Sequence, residues 1–430
     1  MNSTARKYGA LGLRDLTIWG VAIVVMLVAP MLFSSSLAIT MLSQMGIAIV
    51  ACLSFNMLLG HGGMLSFGHA VYSGLGSFVA IHALKAMGNG SFPVPVSLLP
   101  LIGGLAGLFF AVLFGFVTTK KSGTTFAMIT LGISELVFAA SLMMDEFFGG
   151  EAGISANRVI GAPVMGLTFG PQIQVYYLLA IYTIVCTAGM YAFTRTPLGR
   201  MLNAVRDNPE RVEFIGYSTQ RVRYISFIIA GFFAGVAGGM YALNFEIATA
   251  EVVGAARSGA YLLFTFLGGA TFFFGPIIGA ALMVLALVLL SEITKAWLLY
   301  LGMVFLLMVM FAPGGIASLI MMNLRVWKFG KLGRVLGWYA LLAVTGALMF
   351  FGIAAMIEMM YHIQLNEALG PTMRFLGIEM NVQSAASWVG AAVVAAVGIA
   401  LFEFTRRRFA LQWGEVQGEI EAAIRAREAA

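Results

Sequence analysis

The 430-residue chain has little charge: only 10% of its residues are Asp, Glu, Lys or Arg, while 60% are hydrophobic. A typical soluble protein has roughly 25% charged residues, so this composition excludes a soluble globule and a disordered chain. The apolar residues form repeated runs of about 18 to 25 residues, the length that crosses a bilayer as a helix. The sequence therefore predicts an all-α polytopic membrane protein, with about 11 to 12 membrane segments that include broken or re-entrant helices.

Cysteine and histidine are also scarce. The two cysteines, Cys52 and Cys186, both lie in apolar runs, which excludes a disulfide framework and a cysteine metal site. The four histidines have no Asp or Cys beside them, so we expect no metal site. No phosphate-binding Gly-x4-Gly-Lys-Ser/Thr loop occurs, and no nucleophile and base pair in a soluble context. We therefore expect no enzymatic activity and no cofactor in this chain, and any energy must come from elsewhere.

Apolar runs bounded by turn or charge signals define the expected membrane segments. They lie at 16–33, 37–60, 64–87, 97–118, 124–144, 175–194, 224–245, 258–271, 274–292, 296–312, 336–360 and 386–404. At 1.5 Å per residue, the segment 258–271 is too short to cross roughly 30 Å of hydrocarbon. It is expected to be half of a broken or re-entrant element.

Positive charge is distributed unevenly across these segments. With the N-terminus inside, all but five of the 25 Lys and Arg residues fall on the cytoplasmic side, as the positive-inside rule requires. The five at or beyond outer ends are Lys85, Arg158, Arg257, Lys295 and Arg374. Both termini are therefore expected in the cytoplasm, and the loop 145–174 is the largest outer connection.

The longest inner loop between segments, 195–223, has the pattern of two short helices. Pro197 suits the first turn of one helix, and Asn208 suits the N-cap of a second helix that ends near Gly216. An apolar stripe on the first helix is formed by Leu198, Met201, Leu202 and Val205. Such a segment either lies on lipid headgroups or docks a cytoplasmic protein partner. Its mixed charges favour a protein groove.

Glycine clusters interrupt two segments near polar residues, at 59–70 and 267–280. Glycine allows either a helix break beside a cavity or a close approach of two helices. Interrupted segments in corresponding halves of a transporter point to a translocation site. The candidate pathway residues in these clusters are Gly62, Gly63, Ser66, Gly68, His69, Gly268, Gly269 and Gly275.

One acidic residue, Glu135, lies in the middle of a predicted span. A charged carboxylate facing lipid there costs at least about 2.5 kcal/mol, so Glu135 must face protein or water. It either pins two helices as a packed carboxyl or lines the pathway. In an ion-coupled transporter, Glu135 and His69 would be the first candidates for a proton relay, whereas polar lining or packing is the simpler role for His61 and His69.

Seven motifs follow one another over about residues 35 to 320: Asn56–Gly60, Leu65–Ala70, Arg195–Arg200, Ala204–Asn208, Phe233–Gly238, Gly268–Ala280 and Phe311–Gly315. Together they resemble the permease subunits of branched-chain amino-acid ABC importers. The set is much more specific than any one motif.

The resemblance implies a type II-like ABC importer permease in the bacterial inner membrane. It implies a second homologous permease, two cytoplasmic ATPase subunits that bind ATP and Mg, and an extracytoplasmic solute-binding protein. The loop 195–223 would then couple to the ATPases through Gly199, Arg200, Arg206, Asp207 and Glu210. Related importers take up branched-chain amino acids, urea, short amides or aromatic acids, so the resemblance does not fix the solute.

The chain continues beyond the part that resembles this family. We expect a permease core at 1–320, an added two-span extension at 321–405, and a charged cytoplasmic tail at 406–430 that forms a short solvated helix. Two other functions fit the composition. One is a single-chain secondary transporter driven by protons or sodium through Glu135, and the other is a passive channel.

Overall fold

A computed structural model of the chain describes residues 13–159, 168–365 and 370–429. The helices in these residues are α1 (Leu13–Leu32), α2 (Ser36–Gly62), α3 (His69–Gly88), α4 (Leu99–Thr118), α5 (Gly123–Met143), α6 (Asp145–Phe148), α7 (Gln172–Arg195), α8 (Pro197–Asp207), α9 (Pro209–Phe214), α10 (Thr219–Phe245), α11 (Ala255–Gly268), α12 (Gly275–Leu285), α13 (Ser291–Ile293), α14 (Trp297–Phe311), α15 (Gly315–Lys328), α16 (Leu332–Leu365) and α17 (Ala385–Ala429). A π-helical turn, Ala286–Leu290, follows α12.

Four short strands accompany the helices in the described part of the chain. Strands β1 (Ile154–Ser155) and β2 (Ile247–Ala248) pair antiparallel, with Ile154 opposite Ala248. Strands β3 (Thr372–Phe375) and β4 (Ile378–Asn381) form an antiparallel hairpin between α16 and α17. The first pair joins the loop after α6 to the end of α10, two segments that are far apart in the chain.

The prediction of an all-α polytopic membrane protein is confirmed. Nine helices in the described residues are long and apolar enough to cross a bilayer, and the broken pair α14 and α15 would make a tenth span. The shorter apolar helix Thr17–Leu32 and the 14-residue α11 account for the remaining predicted segments. The expectation that 258–271 is too short to span is confirmed by the length of α11.

One predicted boundary is wrong. A membrane segment is predicted at 64–87, but the corresponding helix, α3, begins only at His69. Gly63 ends α2 in the left-handed conformation, at φ 63°, and its N–H bonds the carbonyls of Leu58 and Leu59. The residues from Gly63 to Gly68 therefore form a helical break, because a left-handed C-cap stops the helix there.

The chain divides into two compact units, and the first contains the described residues up to Leu290 together with Phe305–Ala317. In this unit α10 packs against α2, α3 and α4. A side chain at Gly235 of α10 would overlap the carbonyl oxygen of Gly103 in α4, so glycine is what lets these two helices approach closely. Cys52 and Cys186 are buried and unpaired, as expected for small core residues.

The second unit contains 291–304 and the described residues from 318 onward. Its main element is the pair α16 and α17, and a side chain at Gly352 of α16 would contact the backbone of Ala395 in α17. The domain boundaries at 320 and 405 stay predictions.

The charged tail differs from the expectation of a separate, short solvated helix. It continues α17 without a break, and Val416 and Ile420 are buried against Val326 and Val335. The Glu419 carboxylate also pairs with Lys331 and Arg334. The expectation of a solvated helix was wrong because the sequence shows the charges of the tail but not the apolar partners that cover its other face.

Candidate functional site

The loop 195–223 folds into the two short helices α8 and α9. The Thr196 hydroxyl accepts a hydrogen bond from the Gly199 N–H at 3.1 Å and caps α8, with Pro197 at its first position. The Asn208 side chain accepts from the Arg211 N–H at 3.0 Å and caps α9. Both predicted helices and the Asn208 cap are confirmed, whereas Thr196 was missed although a Thr-Pro pair is a cap signal.

Helix α8 buries its apolar stripe against the membrane helices. Leu202 is fully buried and Val205 is 2% exposed, while Arg200 and Arg206 lie on the exposed side. Gly199 is buried, and a side chain there would overlap the carbonyl oxygen of Phe193. Helix α8 therefore packs on the ends of α2, α7 and α10.

The exposed face of α8 and the end of α2 meet at the first glycine break. The Arg206 guanidinium donates a hydrogen bond to the carbonyl oxygen of Gly60. Nδ1 of His61 lies 3.2 Å from Oδ1 of Asn203. The coupling candidate Arg206 thus contacts the end of α2, next to the pathway candidates Gly62 and Gly63.

The glycines of this break leave room for α8. A Cβ at Gly62 would lie 3.2 Å from the Leu202 side chain, and a Cβ at Gly63 would lie 2.8 Å from Cγ of Arg206. Larger residues at these positions would require the Leu202 and Arg206 side chains to shift.

The coupling candidates Asp207 and Glu210 are exposed on the surface of the chain. Asp207 is exposed and accepts a hydrogen bond from Nε of Arg206 at 2.9 Å, and Glu210 is exposed in the first turn of α9. Just beyond them, three large side chains are exposed: Phe214 at 89%, Ile215 at 62% and Tyr217 at 53%. This apolar tip was not predicted, because it forms no periodic stripe and no motif. The signal that could have revealed it is the group of apolar residues beside the turn-forming Gly216.

Polar bonds hold the first break between several helices. The Phe67 N–H donates to Oγ1 of Thr130 at 3.1 Å, and the Ala70 N–H donates to Oγ of Ser258 at 2.9 Å. A side chain at Gly68 would overlap the carbonyl oxygen of Thr130. The break therefore joins α3 to α5 and α11.

Buried polar atoms without a hydrogen-bond partner gather near this break. His69 is fully buried, and its Nε2 lies 2.9 Å from Oγ of Ser54, whereas its Nδ1 has no partner in the described residues. Oγ of Ser66 and Oδ1 of Asn56 likewise have none. Water or a polar solute would satisfy such atoms, which favours a pathway role for this region.

The second break lies against the first. A side chain at Gly60 would overlap the carbonyl oxygen of Ala270, so the two glycine clusters touch. Within the second break, a side chain at Gly268 would overlap the carbonyl oxygen of Gly275, and one at Gly275 would overlap that of Gly269. Gly269 itself has φ 115°, where other residues are strained. These three glycines lie at close backbone contacts, and their lining role stays a prediction.

Glu135 is exposed on the surface of this chain, although it lies in the middle of α5. Its face of the helix also carries Met128, 65% exposed, Leu136, 64% exposed, and Gly132, whose Cβ would have no neighbour within 4 Å. The neighbouring Ser134 is buried and donates to the carbonyl oxygen of Val253 at 3.3 Å. One face of α5 is therefore uncovered in the single chain, and it carries a carboxylate that lipid does not tolerate.

In the part of the chain that the structure describes, no group of three or more His, Cys, Asp and Glu side chains is arranged to hold a metal ion.

Comparison with known proteins gives the family. The family described as "Branched-chain amino acid transport system / permease component" matches residues 37–313. The high-affinity branched-chain amino acid transport system permease protein LivM of Escherichia coli (strain K12) is 26% identical over 304 residues, which cover 65% of this chain and 70% of LivM.

Two further relatives match shorter parts. The probable branched-chain amino acid transport permease protein LivH of Methanocaldococcus jannaschii is 25% identical over 187 residues, covering 43% of this chain and 59% of LivH. The nucleoside ABC transporter permease protein NupB of Lactococcus lactis subsp. cremoris is 27% identical over 171 residues, covering 36% and 46% of the two chains. No solved structure matches. Because the family match covers well over half of the sequence, this multi-pass membrane protein belongs to the branched-chain amino acid permease family of ABC transporters.

Proposed function

We propose that this chain is one of two homologous permeases of an ABC importer, and that it carries branched-chain amino acids or related small solutes across the bacterial cytoplasmic membrane. ABC permeases of this family work with ATPase and solute-binding partners. The proposed assembly has two cytoplasmic ATPases, which bind ATP and Mg, and one extracytoplasmic binding protein. ATP hydrolysis then takes place on the partners, and both termini of this chain lie in the cytoplasm.

The observation that carries the coupling proposal is the contact of α8 with the first glycine break. Arg206 holds the Gly60 carbonyl, and Leu202 packs against Gly62. A partner that moves α8 therefore moves the end of α2. Because Gly60 also touches Ala270, the displacement reaches the second break within the same unit.

The apolar tip of α9 supports a protein partner at this loop. Among the large hydrophobic side chains of the described residues, Phe214 is the most exposed, and it lies beside the charged residues Glu210, Arg211 and Glu213. An exposed aromatic side chain with a polar rim is typical of a binding hot spot. A lipid surface would instead favour cations alone around the aromatic group, whereas two of these three neighbours are acidic.

The uncovered face of α5 supports a second permease. Glu135 and Gly132 lie on this face, together with apolar residues suited to helix packing. A homologous partner across this face, with a water-filled cavity between the two chains, would give Glu135 an aqueous or polar environment. Binding and release of nucleotide on the ATPases would then shift the cavity between outward and inward access, since each nucleotide state favours one conformation.

Reconstitution tests the proposal. The permease pair and the ATPases are incorporated into liposomes with ATP inside, and the binding protein is loaded outside with a panel of amino acids, urea, amides and aromatic acids. We expect uptake only with ATP and binding protein present. A single-chain secondary transporter would instead show uptake by this chain alone under a proton or sodium gradient, and that result would contradict the proposal.

A further inference from the structure

Arg257, in the first turn of α11, is a cation with few partners. Its guanidinium carbon lies 5.2 Å from the ring centroid of Tyr241 and 5.9 Å from that of Tyr261. Its Nε donates one long hydrogen bond, 3.4 Å, to the Tyr261 hydroxyl. Within the described ranges it forms no ion pair with an Asp or Glu side chain. An arginine enclosed by membrane helices without an acidic partner is costly, and such residues usually have a function.

Arg158, another arginine of the same unit, has several hydrogen-bond acceptors for its guanidinium. Its guanidinium donates to the backbone oxygens of Phe169 at 2.8 Å and Asn244 at 3.1 Å, and to the side chain of Gln172 at 3.0 Å. Arg257 has no such set of acceptors. The five N–H groups of its guanidinium are therefore mostly available to a ligand.

Two small cavities flank Arg257. Each has a volume of about 10 Å³, and both are walled by Arg257, Tyr241 and Tyr261. The first is also lined by Ser77, which is 1% exposed and whose hydroxyl has no hydrogen-bond partner. A space of this size takes one water-sized group. The Ser77 hydroxyl, which has no hydrogen-bond partner, and the Arg257 guanidinium, which has few, thus line the same space.

The groups around this space are donors. The guanidinium carries positive charge, and the Ser77 hydroxyl has a proton to donate. The Tyr261 hydroxyl accepts from Arg257 and lies 3.5 Å from Oγ of Ser73. Because Ser73 donates to the Ala70 carbonyl, the proton of Tyr261 is directed to Ser73. The planar fork of arginine matches the two oxygens of a carboxylate. Each cavity takes one oxygen-sized group, such as one oxygen of a carboxylate.

We propose that Arg257 and Ser77 bind the carboxylate group of the transported solute, with Tyr261 positioning the Arg257 guanidinium. This site rests on the proposed function, because the carboxylate belongs to the imported amino acid. Entry of an amino acid requires the surrounding helices to separate, as expected of an alternating-access cycle whose closed form leaves only oxygen-sized spaces beside Arg257.

Ligand-dependent thermal unfolding of the purified full-length chain tests the site. Midpoints are measured with L-leucine, L-leucinamide and sodium acetate, with sodium chloride at matched ionic strength as reference. We expect leucine and acetate to raise the midpoint in a concentration-dependent way, and leucinamide to leave it unchanged. A ligand that binds only the folded protein stabilises it, so the size of the shift reports affinity.

Variants of Arg257 and Ser77 test whether these residues bind the carboxylate. Arg257→Gln is expected to weaken apparent leucine affinity by tenfold or more, which is about the value of one charge-assisted hydrogen bond. Ser77→Ala removes only the hydroxyl and is expected to weaken it by several-fold. Arg257→Lys keeps the positive charge but loses the paired N–H donors of the guanidinium, so we expect partial leucine affinity. If Arg257→Gln does not fold, Arg257→Lys and Ser77→Ala test the site. Arg374→Gln, at an exposed arginine, is the matched control.

Three outcomes would overturn the site: no shift with either carboxylate, equal shifts with leucinamide, or equal shifts in wild type and Arg257→Gln. A shift produced by chloride alone would show a halide site instead and would also overturn it. Uptake by the reconstituted importer separates this proposal from the proposed function. ATP-driven leucine uptake that is unaffected by Arg257→Gln would remove the site and leave the importer. Carboxylate-dependent stabilisation without any ATP-driven uptake would contradict the importer and leave the carboxylate site.

Discussion

Arg206 of α8 donates a hydrogen bond to the backbone carbonyl of Gly60, near the C-terminal end of α2. The residues are 146 positions apart in the chain, yet this contact joins helix α8 to the first glycine break. A hydrogen bond from a charged donor contributes roughly 1.5 to 3 kcal/mol, so it is strong enough to transmit a displacement of α8.

Replacing Arg206 and Glu210 by alanine tests this transmission. In the assembled importer, we expect uptake to fall by at least about tenfold, since the lost hydrogen bond to Gly60 is charge-assisted. Solute capture by the binding protein and basal ATP hydrolysis should persist. Uptake and ATP hydrolysis are measured in the same vesicles. Arg325→Ala, which changes an exposed arginine of α15, is the control. Unaltered uptake in the double variant would remove the loop from the mechanism.

Phe214→Ala tests the apolar tip of α9. The side chain is 89% exposed, so we expect the unfolding free energy to change by less than about 0.5 kcal/mol. Loss of an aromatic hot spot costs about 2 kcal/mol of binding, so the ATPases should co-purify poorly. Quantitative pull-down against Phe92→Ala, which truncates a 41% exposed phenylalanine outside this loop, measures the difference. Equal recovery from both variants would exclude Phe214 from the interface.

Gly68→Ala and Gly132→Ala form a matched pair. A methyl group at Gly68 overlaps the Thr130 carbonyl oxygen, whereas one at Gly132 has no neighbour within 4 Å. We therefore expect Gly68→Ala to lower the thermal midpoint and the amount of folded protein. Gly132→Ala should leave the single chain as stable or raise stability by about 0.5 to 1 kcal/mol, because alanine favours a helix. A folded Gly68→Ala protein of normal stability would contradict the close contact.

Glu135→Cys tests the environment of the exposed face of α5. The two native cysteines are buried, so a membrane-impermeant maleimide should label only the new thiol. In the assembled importer, we expect labelling whose rate changes when nucleotide is added, because the cavity opens to different sides. A thiol in lipid is not accessible to this reagent. Absence of labelling in every nucleotide state would therefore contradict an aqueous cavity at this position.

The sequence predicts the local features of this protein well. The span positions, the Asn208 cap and the short α11 all depend on residues close together in the chain, where helix length, capping and periodicity decide the structure. The start of α3 was misplaced because a left-handed Gly63 and a helical glycine look alike in sequence.

The long-range contacts could not be predicted. The approach of Gly60 to Ala270 and the bond from Arg206 to Gly60 depend on how helices pack, which periodicity does not encode. Arg257 was noticed only as an outer-end charge. Its missing acceptors and the orphaned Ser77 hydroxyl become visible only when α3, α10 and α11 lie together.

The central claim is that partner ATPases drive transport through α8 and α9. The most direct test measures solute uptake into proteoliposomes that contain this permease, its homologous partner and the ATPases, with binding protein outside and ATP inside. The account predicts uptake with ATP, loss of that uptake in the Arg206→Ala, Glu210→Ala double variant, and none from this chain alone under a proton or sodium gradient. Gradient-driven uptake by the isolated chain, with no requirement for ATP, would contradict it.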